Sequence, residues 1–362
     1  MSKNYNIVIS GGGTGGHIYP AIAIANELKE QFPKAQILFV GASGKMEMEK
    51  VPKAGYDIIG LPIAGINRSN MLANLSFPFK LIKSLTKAYT TLKDFKPDVA
   101  IGVGGYASGP TLLIAKLRGV TSVIQEQNSY AGVTNKILSK WASKICVAYP
   151  NMEKFFPAEK VVFTGNPVRK DIIESKVSKE SALAHFKLKT DKKTLLIIGG
   201  SQGARSINLA IEAGIDELVK QGLQVIWQTG EVFKSSKNAL EGTYISDFIY
   251  EMDFAYQAAD LVISRAGALS VSELCLTETP SILVPFPNAS EDHQTMNAMS
   301  LVEKHAALIV KDSEVSSDLI KVCLALANDE ALQQSLKVNI AGFAKPNAAK
   351  EIVEQIKQVL EI

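Results

Sequence analysis

Four glycine-rich stretches carry the residues best suited to chemistry. Gly11-Gly-Gly-Thr-Gly-Gly16 runs into His17, and Gly102-Val-Gly-Gly-Tyr-Ala-Ser-Gly109 carries Tyr106. Gly199-Gly-Ser-Gln-Gly203 carries Ser201, and Ser264-Arg-Ala-Gly-Ala-Leu-Ser-Val-Ser-Glu273 ends in a carboxylate. A glycine loop between a strand and a helix exposes backbone N–H groups at the positive helix end, which suits an anion such as phosphate. Gly11, Gly13 and Gly16 satisfy the dinucleotide spacing G-x-G-x-x-G. That reading also wants an acidic residue closing the second strand to hold a ribose. The second strand closes with Phe39-Val-Gly-Ala-Ser43 and has none, which weighs against NAD. In the fourth stretch, a helix opening at Ser270 and capped by its hydroxyl puts Glu273 on the first turn. There a carboxylate accepts from both hydroxyls of a ribose while loop amides face a diphosphate. Taken alone, Glu273 serves equally as a capping-box or macrodipole carboxylate.

The elements that must position these loops follow a repeated pattern of short apolar runs ending in glycine, then longer amphipathic stretches. Asn6–Ser10, Ile37–Val40 and Val99–Val103 read as strands, Ala21–Glu30 and Leu81–Phe95 as helices. The pattern restarts at Thr194–Ile198 and continues through Val225–Gln228, Leu261–Ser264 and Ser281–Pro285. A charged, strand-poor segment, Arg169–Lys193, separates the two runs. Such alternation predicts right-handed βαβ units and parallel sheets, hence two Rossmann-like α/β domains, 1–166 and 167–345. Ligands of such sheets sit beyond the C-terminal strand ends, which puts the expected site in a central cleft between the halves.

Composition narrows the class further. The chain has 362 residues, 46% hydrophobic and 21% charged, which excludes a mainly disordered or fibrous protein and suggests two cores. Three scattered cysteines (Cys146, Cys275, Cys323) with four histidines exclude a disulfide framework and argue against a structural zinc cluster. A net charge of +3 gives no sign of a nucleic-acid partner. The longest uncharged stretch, Val99–Ala115, is glycine-broken and shorter than the ~20 residues of a membrane span. With no signal-peptide pattern at the N-terminus, a soluble intracellular chain is expected.

The charge is unevenly spread. Residues 66–96 carry Arg68, Lys80, Lys83, Lys87, Lys93 and Lys96 against Asp94, a local +5. The uncharged stretch Ser69–Phe79 holds Met71, Leu72, Leu75, Phe77 and Phe79, and Lys80, Lys83 and Lys87 then share one helical face. An apolar wedge ringed by lysines suits an anionic phospholipid surface, each cation adding ~1 kcal/mol. The plainer alternative makes Leu81, Ile82, Leu85 and Leu92 a core face with the lysines as its solvated back.

Taken in order, these motifs resemble those of the bacterial MurG family. They are Gly12-Gly-Thr-Gly-Gly-His17, Gly104-Gly-Tyr106, Glu126-Gln-Asn128, Gly165-Asn-Pro-Val-Arg169, Gly199–Gly203, Arg265–Glu273 and His293-Gln294. The resemblance covers nearly the whole chain. It implies a GT-B glycosyltransferase fold and an inverting UDP-GlcNAc transferase of peptidoglycan synthesis. The acceptor it implies is lipid I (undecaprenyl-pyrophosphoryl-MurNAc-pentapeptide), glycosylated at the C4 hydroxyl of MurNAc to give lipid II. It further implies a peripheral location at the cytoplasmic face of the inner membrane, with cell-wall synthesis proteins as partners.

Residue by residue, the resemblance gives the donor side to Thr14, Gly15, Gly16, Asn128, Arg169, Ser201, Ile249, Ala268, Leu269, Ser270, Val271, Ser272, Glu273 and Gln294. Arg169 and Ser201 hold the diphosphate, the backbone of Ile249 reads uracil, Glu273 takes the ribose hydroxyls and Gln294 the sugar hydroxyls. His17, Tyr106, Glu126 and Asn135 match the acceptor pocket. Leu72, Leu75, Phe77, Phe79, Lys80, Lys83 and Lys87 form the membrane contact. His293 departs from the glutamine frequent at its position. The C-terminal helix, 346–362, is assigned to the first domain, as is common in GT-B proteins.

An inverting displacement needs a general base and a stabilised leaving diphosphate. His17 is the base candidate by residue type, although a helix N-terminus favours its neutral, hydrogen-bond-donating form, and Glu126 is its rival. No Asp-x-Asp is present, so a helix end and Arg169 are expected to stabilise the leaving group. No metal or cofactor is then held by the protein, and magnesium recruited by substrate phosphates stays open. The rival readings are a UDP-GlcNAc 2-epimerase, a glycolipid glycosyltransferase, or a non-catalytic nucleotide-sugar-binding protein.

Overall fold

The computed structural model describes residues 4–63, 65, 75–237 and 240–361. Leu72, with Arg68 and Met71, lies outside them. Two compact units are present, Met1–Arg169 together with Pro346–Ile362, and Lys170–Lys345. The first runs three residues beyond the boundary drawn from the sequence and takes Arg169 with it. The Arg169 guanidinium lies over the ring of Tyr19, 5.7 Å from its centroid.

The first unit contains β1 (Asn6–Ser10), α1 (Gly15–Gln31), β2 (Gln36–Ala42), α2 (Glu47–Lys53), β3 (Asp57–Leu61), α3 (Phe77–Phe95) and β4 (Val99–Gly102). It continues with α4 (Ser108–Leu117), β5 (Thr121–Glu126), α5 (Val133–Leu138), β6 (Lys144–Val147) and β7 (Val161–Phe163). Its seven strands are all parallel, in the order β3-β2-β1-β4-β5-β6-β7. Helices cover both faces, so central strands such as β4 are buried at every position and read as unbroken apolar runs. One core carries Ala88 and Leu92 of α3, Leu112 and Ala115 of α4, and Leu138 of α5. The other packs Ile18, Ile24 and Leu28 of α1 with Ile352, Val353 and Ile356 of the C-terminal helix.

The second unit opens with α6 (Lys170–Ile173), α7 (Lys179–His185), β8 (Thr194–Ile198), α8 (Arg205–Lys220), β9 (Gln224–Gln228) and β10 (Thr243–Ser246). It continues with α9 (Met252–Ala258), β11 (Leu261–Ser264), α10 (Ala268–Thr277), β12 (Ser281–Leu283) and α11 (His293–Val302). Last come β13 (Leu308–Ile309), α12 (Val315–Asn328) and α13 (Glu330–Ala341), after which α14 (Ala348–Leu360) returns to the first unit. Its sheet is again parallel, in the order β10-β9-β8-β11-β12-β13.

Strand order reverses between β1 and β4 in the first sheet and between β8 and β11 in the second. Adjacent crossovers leave on opposite faces at such a point, opening a crevice at the carboxyl ends of the strands. All four glycine-rich stretches begin there: 11–16 and 102–109 after β1 and β4, 199–203 and 264–273 after β8 and β11.

Two helical readings are corrected. Ile82 is 62% exposed rather than part of the core face of α3. The buried stripe runs through Ser84, Ala88, Thr91 and Leu92, with Leu81 and Leu85 packed on the core, and Ile82 falls outside that 3.6-residue period. The helix after β11 opens at Ala268 behind Gly267, with no side-chain cap. Ser270 is therefore inside its first turn and does not cap it, and Glu273 sits on the second turn.

Candidate active site

At the first switch point the two glycine loops meet backbone to backbone. Gly105 has φ +86, and a Cβ there would lie 2.4 Å from the Gly12 carbonyl oxygen, so no other residue fits without moving the loop. Behind the first loop stands Glu47, at the start of α2 and almost wholly buried. Its Oε2 accepts from the N–H of Gly13 (2.8 Å) and its Oε1 from that of Ala42 (2.9 Å). A Cβ on Gly12 would lie 2.2 Å from Oε1, so the carboxylate occupies space that only glycine leaves. Sequence reasoning missed Glu47; it looks for an acid closing β2, and this one reaches the end of β2 from the next helix.

His17 is the third residue of α1, and the helix accepts no side-chain cap. Its Nδ1 lies 3.3 Å from Thr14 Oγ1, and its Nε2 edge faces the Gly104 turn, where a Cβ would come within 2.9 Å. Asn135 Nδ2 approaches the same spot on Gly104. His17 and Asn135 are thereby brought together around one turn, with Thr14, Gly15 and Gly16 at the helix end beside them.

Glu126 closes β5 and is buried, not open to a substrate. Its Oε1 accepts from the backbone N–H (3.1 Å) and Nδ2 (3.3 Å) of Asn128. Its Oε2 accepts from Gly132 N–H (3.0 Å) and Asn135 Nδ2 (2.9 Å). Burial raises its carboxyl above the usual carboxylate range, and these same bonds oppose that shift. The geometry ties Glu126 to the loop that carries Asn128 and Asn135. Neighbouring amides extend the order: Gln127 Nε2 donates to Val103 O (2.8 Å) and Asn166 Nδ2 to Gln127 O (3.1 Å). Tyr106 remains half-exposed at the rim.

At the second switch point, Gly203 has φ +75, and a Cβ there would lie 1.9 Å from Thr229 O. Gln228, the last residue of β9, spans two parts of this site. Its Nε2 donates to Gly200 O (2.9 Å) and its Oε1 accepts from Ile249 N–H (3.0 Å). One amide thus couples the glycine loop to the segment expected to read uracil, and of Ile249's backbone it occupies the N–H. Ser201 is exposed at the loop tip. Ala268, Leu269, Val271 and Glu273 are buried along α10, with Ser270 and Ser272 half-buried. Gln294, on α11 after His293, accepts at Oε1 from Phe286 N–H (2.9 Å).

The loops are held from outside the site as well. Arg265 pairs with Asp312 and donates to Ser206 Oγ and the carbonyls of Val284 and Pro285, joining β11, β12 and α8. Gln228 and the tie from Glu47 to Gly13 have no signature in the sequence, because each joins residues more than twenty positions apart.

On α3, Leu75 just before the helix, Phe79 and Ile82 are 73%, 70% and 62% exposed. Lys80 and Lys83 are exposed on the same helix, and Phe77 is half-buried. Lys87 is exposed too, but its Nζ turns back to donate to Gly60 O (2.7 Å).

Family models match both units: the glycosyltransferase family 28 N-terminal domain over residues 7–147 and its C-terminal domain over 194–355. Curated proteins named UDP-N-acetylglucosamine–N-acetylmuramyl-(pentapeptide) pyrophosphoryl-undecaprenol N-acetylglucosamine transferase are similar along the whole chain. The one from Parabacteroides distasonis is 54% identical, covering 99% of both chains. That from Flavobacterium psychrophilum is 53% identical, again over 99% of each. Among solved structures, Acinetobacter baumannii MurG is 30% identical with a TM-score of 0.76, covering 98% of this chain and 99% of its own. A UDP-N-acetylglucosamine 2-epimerase at 13% identity and TM-score 0.66 shares the fold alone. The chain belongs to the MurG family of glycosyltransferases, with the two-domain GT-B fold.

Proposed function

We propose that the chain transfers GlcNAc from UDP-GlcNAc to the C4 hydroxyl of MurNAc in lipid I, inverting the anomeric carbon and giving lipid II. The observation that carries the reading is the second switch point, where a glycine loop, the Ile249 segment and a buried carboxylate, Glu273, converge on one strand edge. Loop amides and Ser201 suit the donor diphosphate, the carbonyl of Ile249 suits the N3–H of uracil, and Glu273 suits the ribose diol. Gln294 Nε2 is then the group that meets the sugar hydroxyls.

In the reaction, the acceptor oxygen attacks the anomeric carbon, UDP leaves, and the hydroxyl proton goes to a base. His17 fills that role in this reading, since both oxygens of Glu126 already accept hydrogen bonds from its own loop. Thr14, Gly15, Gly16 and Asn128 complete the donor side and meet the acceptor's phosphates, while Tyr106 and Asn135 line the acceptor pocket. Arg169 and the donor-loop amides take up the charge that develops on the leaving diphosphate. The chain supplies no metal ligand in this scheme; magnesium, where the reaction uses it, is carried by substrate phosphates.

A lipid-linked acceptor requires a membrane surface, and no helix among the described residues is long and apolar enough to cross one. Peripheral docking at the cytoplasmic face through Leu75, Phe79, Ile82, Lys80 and Lys83 is supported by their exposure at the start of α3 and just before it. The test of the activity is UDP release from labelled UDP-GlcNAc with and without a short-chain lipid I analogue. Acceptor-dependent release is expected, and release without acceptor, or none with a verified acceptor, would refute it. For docking, K80E/K83E is expected to weaken binding to phosphatidylglycerol vesicles; unchanged binding removes that part.

A further inference from the structure

Tyr256 is 3% exposed on α9, and its hydroxyl donates to Oε2 of Glu273 at 2.9 Å. Glu273 is itself 7% exposed on α10. The two helices precede and follow β11, the strand at the switch point, along the chain. We propose that Tyr256 is a positioning residue for nucleotide selection, holding Glu273 so that the donor site distinguishes a ribonucleoside diphosphate from its 2′-deoxy counterpart. The proposal rests on the reading of Glu273 as the ribose carboxylate.

The argument is geometric. A carboxylate meets two vicinal hydroxyls only if its plane is oriented toward them, and the terminal torsion of a glutamate is broad. A phenol O–H fixed to one oxygen removes that freedom and leaves the other oxygen directed elsewhere. At 2.9 Å the phenol–carboxyl contact is a full hydrogen bond, close enough to set the carboxyl's orientation. Helix packing buries the ring, and the hydroxyl has no packing role that phenylalanine would fail to supply. Loss of the hydroxyl therefore removes this one restraint on the carboxylate while the ring stays in place.

The experiment is calorimetric titration of the full chain with UDP and with 2′-deoxyUDP. The wild type is expected to prefer UDP by ~10-fold or more, the scale of a hydrogen bond to a charged group. Tyr256→Phe should narrow that preference to about 2-fold while changing 2′-deoxyUDP affinity by less than about 2-fold. Equal weakening of both ligands would mean a merely structural role and overturn the proposal, as would full retention of the preference. A wild type that does not discriminate removes the ribose reading of Glu273 and this proposal with it, so the two failures are told apart. Glu273→Asp keeps the charge but draws the carboxylate one methylene away from the phenol. It provides the second variant should Tyr256→Phe not fold, and retained preference there also overturns the idea.

Discussion

At the β1/β4 switch point the glycine loop is tied down by its N–H side: Gly13 donates to the buried carboxylate of Glu47. At the β8/β11 switch point the corresponding loop is tied by a carbonyl: Gly200 O accepts from Gln228 Nε2. An N–H held by a fixed anion is withdrawn from ligand binding, and the negative charge behind it opposes the helix end's positive potential. In the second loop Gly203 N–H donates to that same Gly200 carbonyl (3.0 Å), so the turn closes on itself and its outside anchor is a neutral amide rather than a carboxylate. Two loops that look alike in sequence therefore differ in what they can hold. The second is the better anion cradle, which fits a donor diphosphate that must be bound and then stabilised as it leaves. The first is ordered in advance around His17, which fits a loop whose task is to place a base and an acceptor.

The strongest test of this division is His17→Ala. Loss of a general base costs ~10²–10⁴ in kcat, whereas UDP affinity should stay within about 2-fold, because His17 is an acceptor-side residue and the substitution leaves Arg169 and the donor loop in place. Steady-state kinetics with a lipid I analogue and a parallel UDP titration read both numbers. A variant that loses UDP affinity in step with kcat would dissolve the distinction between the two faces.

A paired test follows at smaller amplitude. Glu47→Ala leaves the N–H groups of Gly13 and Ala42 without their acceptor, at a cost of about 1–3 kcal/mol for a buried unsatisfied group. Its signature is a lower unfolding midpoint and a higher acceptor KM at unchanged UDP affinity. Gln228→Ala releases Gly200 O and Ile249 N–H together and should weaken UDP by ~10-fold while sparing the acceptor KM. Crossed effects, with Glu47→Ala weakening UDP, would show that loop attachment does not set ligand preference.

Glu126 sharpens the comparison through pH. Its carboxyl is raised above the ordinary 4.5 by burial, against hydrogen bonds from Asn128, Asn135 and Gly132. In the folded chain it holds its proton to higher pH than in the unfolded chain. The associated stability is present below pH 4.5 and is lost as pH rises through the raised folded value. Glu126→Gln should remove that component, up to ~1.4 kcal/mol per pH unit, from the pH dependence of urea unfolding. A variant with the wild-type slope would show that Glu126 does not carry it. The slope is the readout here, since glutamine cannot accept all four bonds and lowers stability at every pH.

Much of this was legible along the chain where one element announces itself. Asn6–Ser10, Thr194–Ile198 and Leu261–Ser264 are apolar runs ended by polar or glycine residues, and they form strands over those same residues. The half-buried β10 lacks such a run, and β13 uses only Leu308 and Ile309 of the run Ala306–Val310, so how much of each becomes strand depends on neighbours that complete the sheet. The glycine loops and Glu273 were visible because strand–glycine–helix order is local. Glu47, Gln228 and Tyr256 were not, for the same physical reason: a glutamate, a glutamine and a tyrosine acquire meaning only once another element brings them a partner. Glu47 meets Gly13 across 34 positions and Gln228 meets Ile249 across 21. Ile82 was misread because the apolar period of α3 admits two registers, and only the packing of α3 on the sheet selects one.

The gentlest probe leaves both loops intact. Burial pushes the thiols of Cys146, Cys275 and Cys323 up to about 12, so at pH 8 none should react quickly with an aromatic disulfide reagent while the chain is folded. Cys146 lies on β6 in the first unit; Cys275 and Cys323 lie on α10 and α12 in the second. Their slow labelling then reports how often each unit opens. A ligand that binds only the folded second unit lowers its open fraction by 1 + [L]/Kd, so UDP at about twice its Kd should slow Cys275 and Cys323 about 3-fold. Cys146 should label at an unchanged rate, because in this scheme UDP alone draws little on the amide-tied loop of the first unit. Equal protection of all three thiols would mean that the units open together or that the nucleotide is held by both, and either result would break the division between a donor cradle and a pre-ordered acceptor loop.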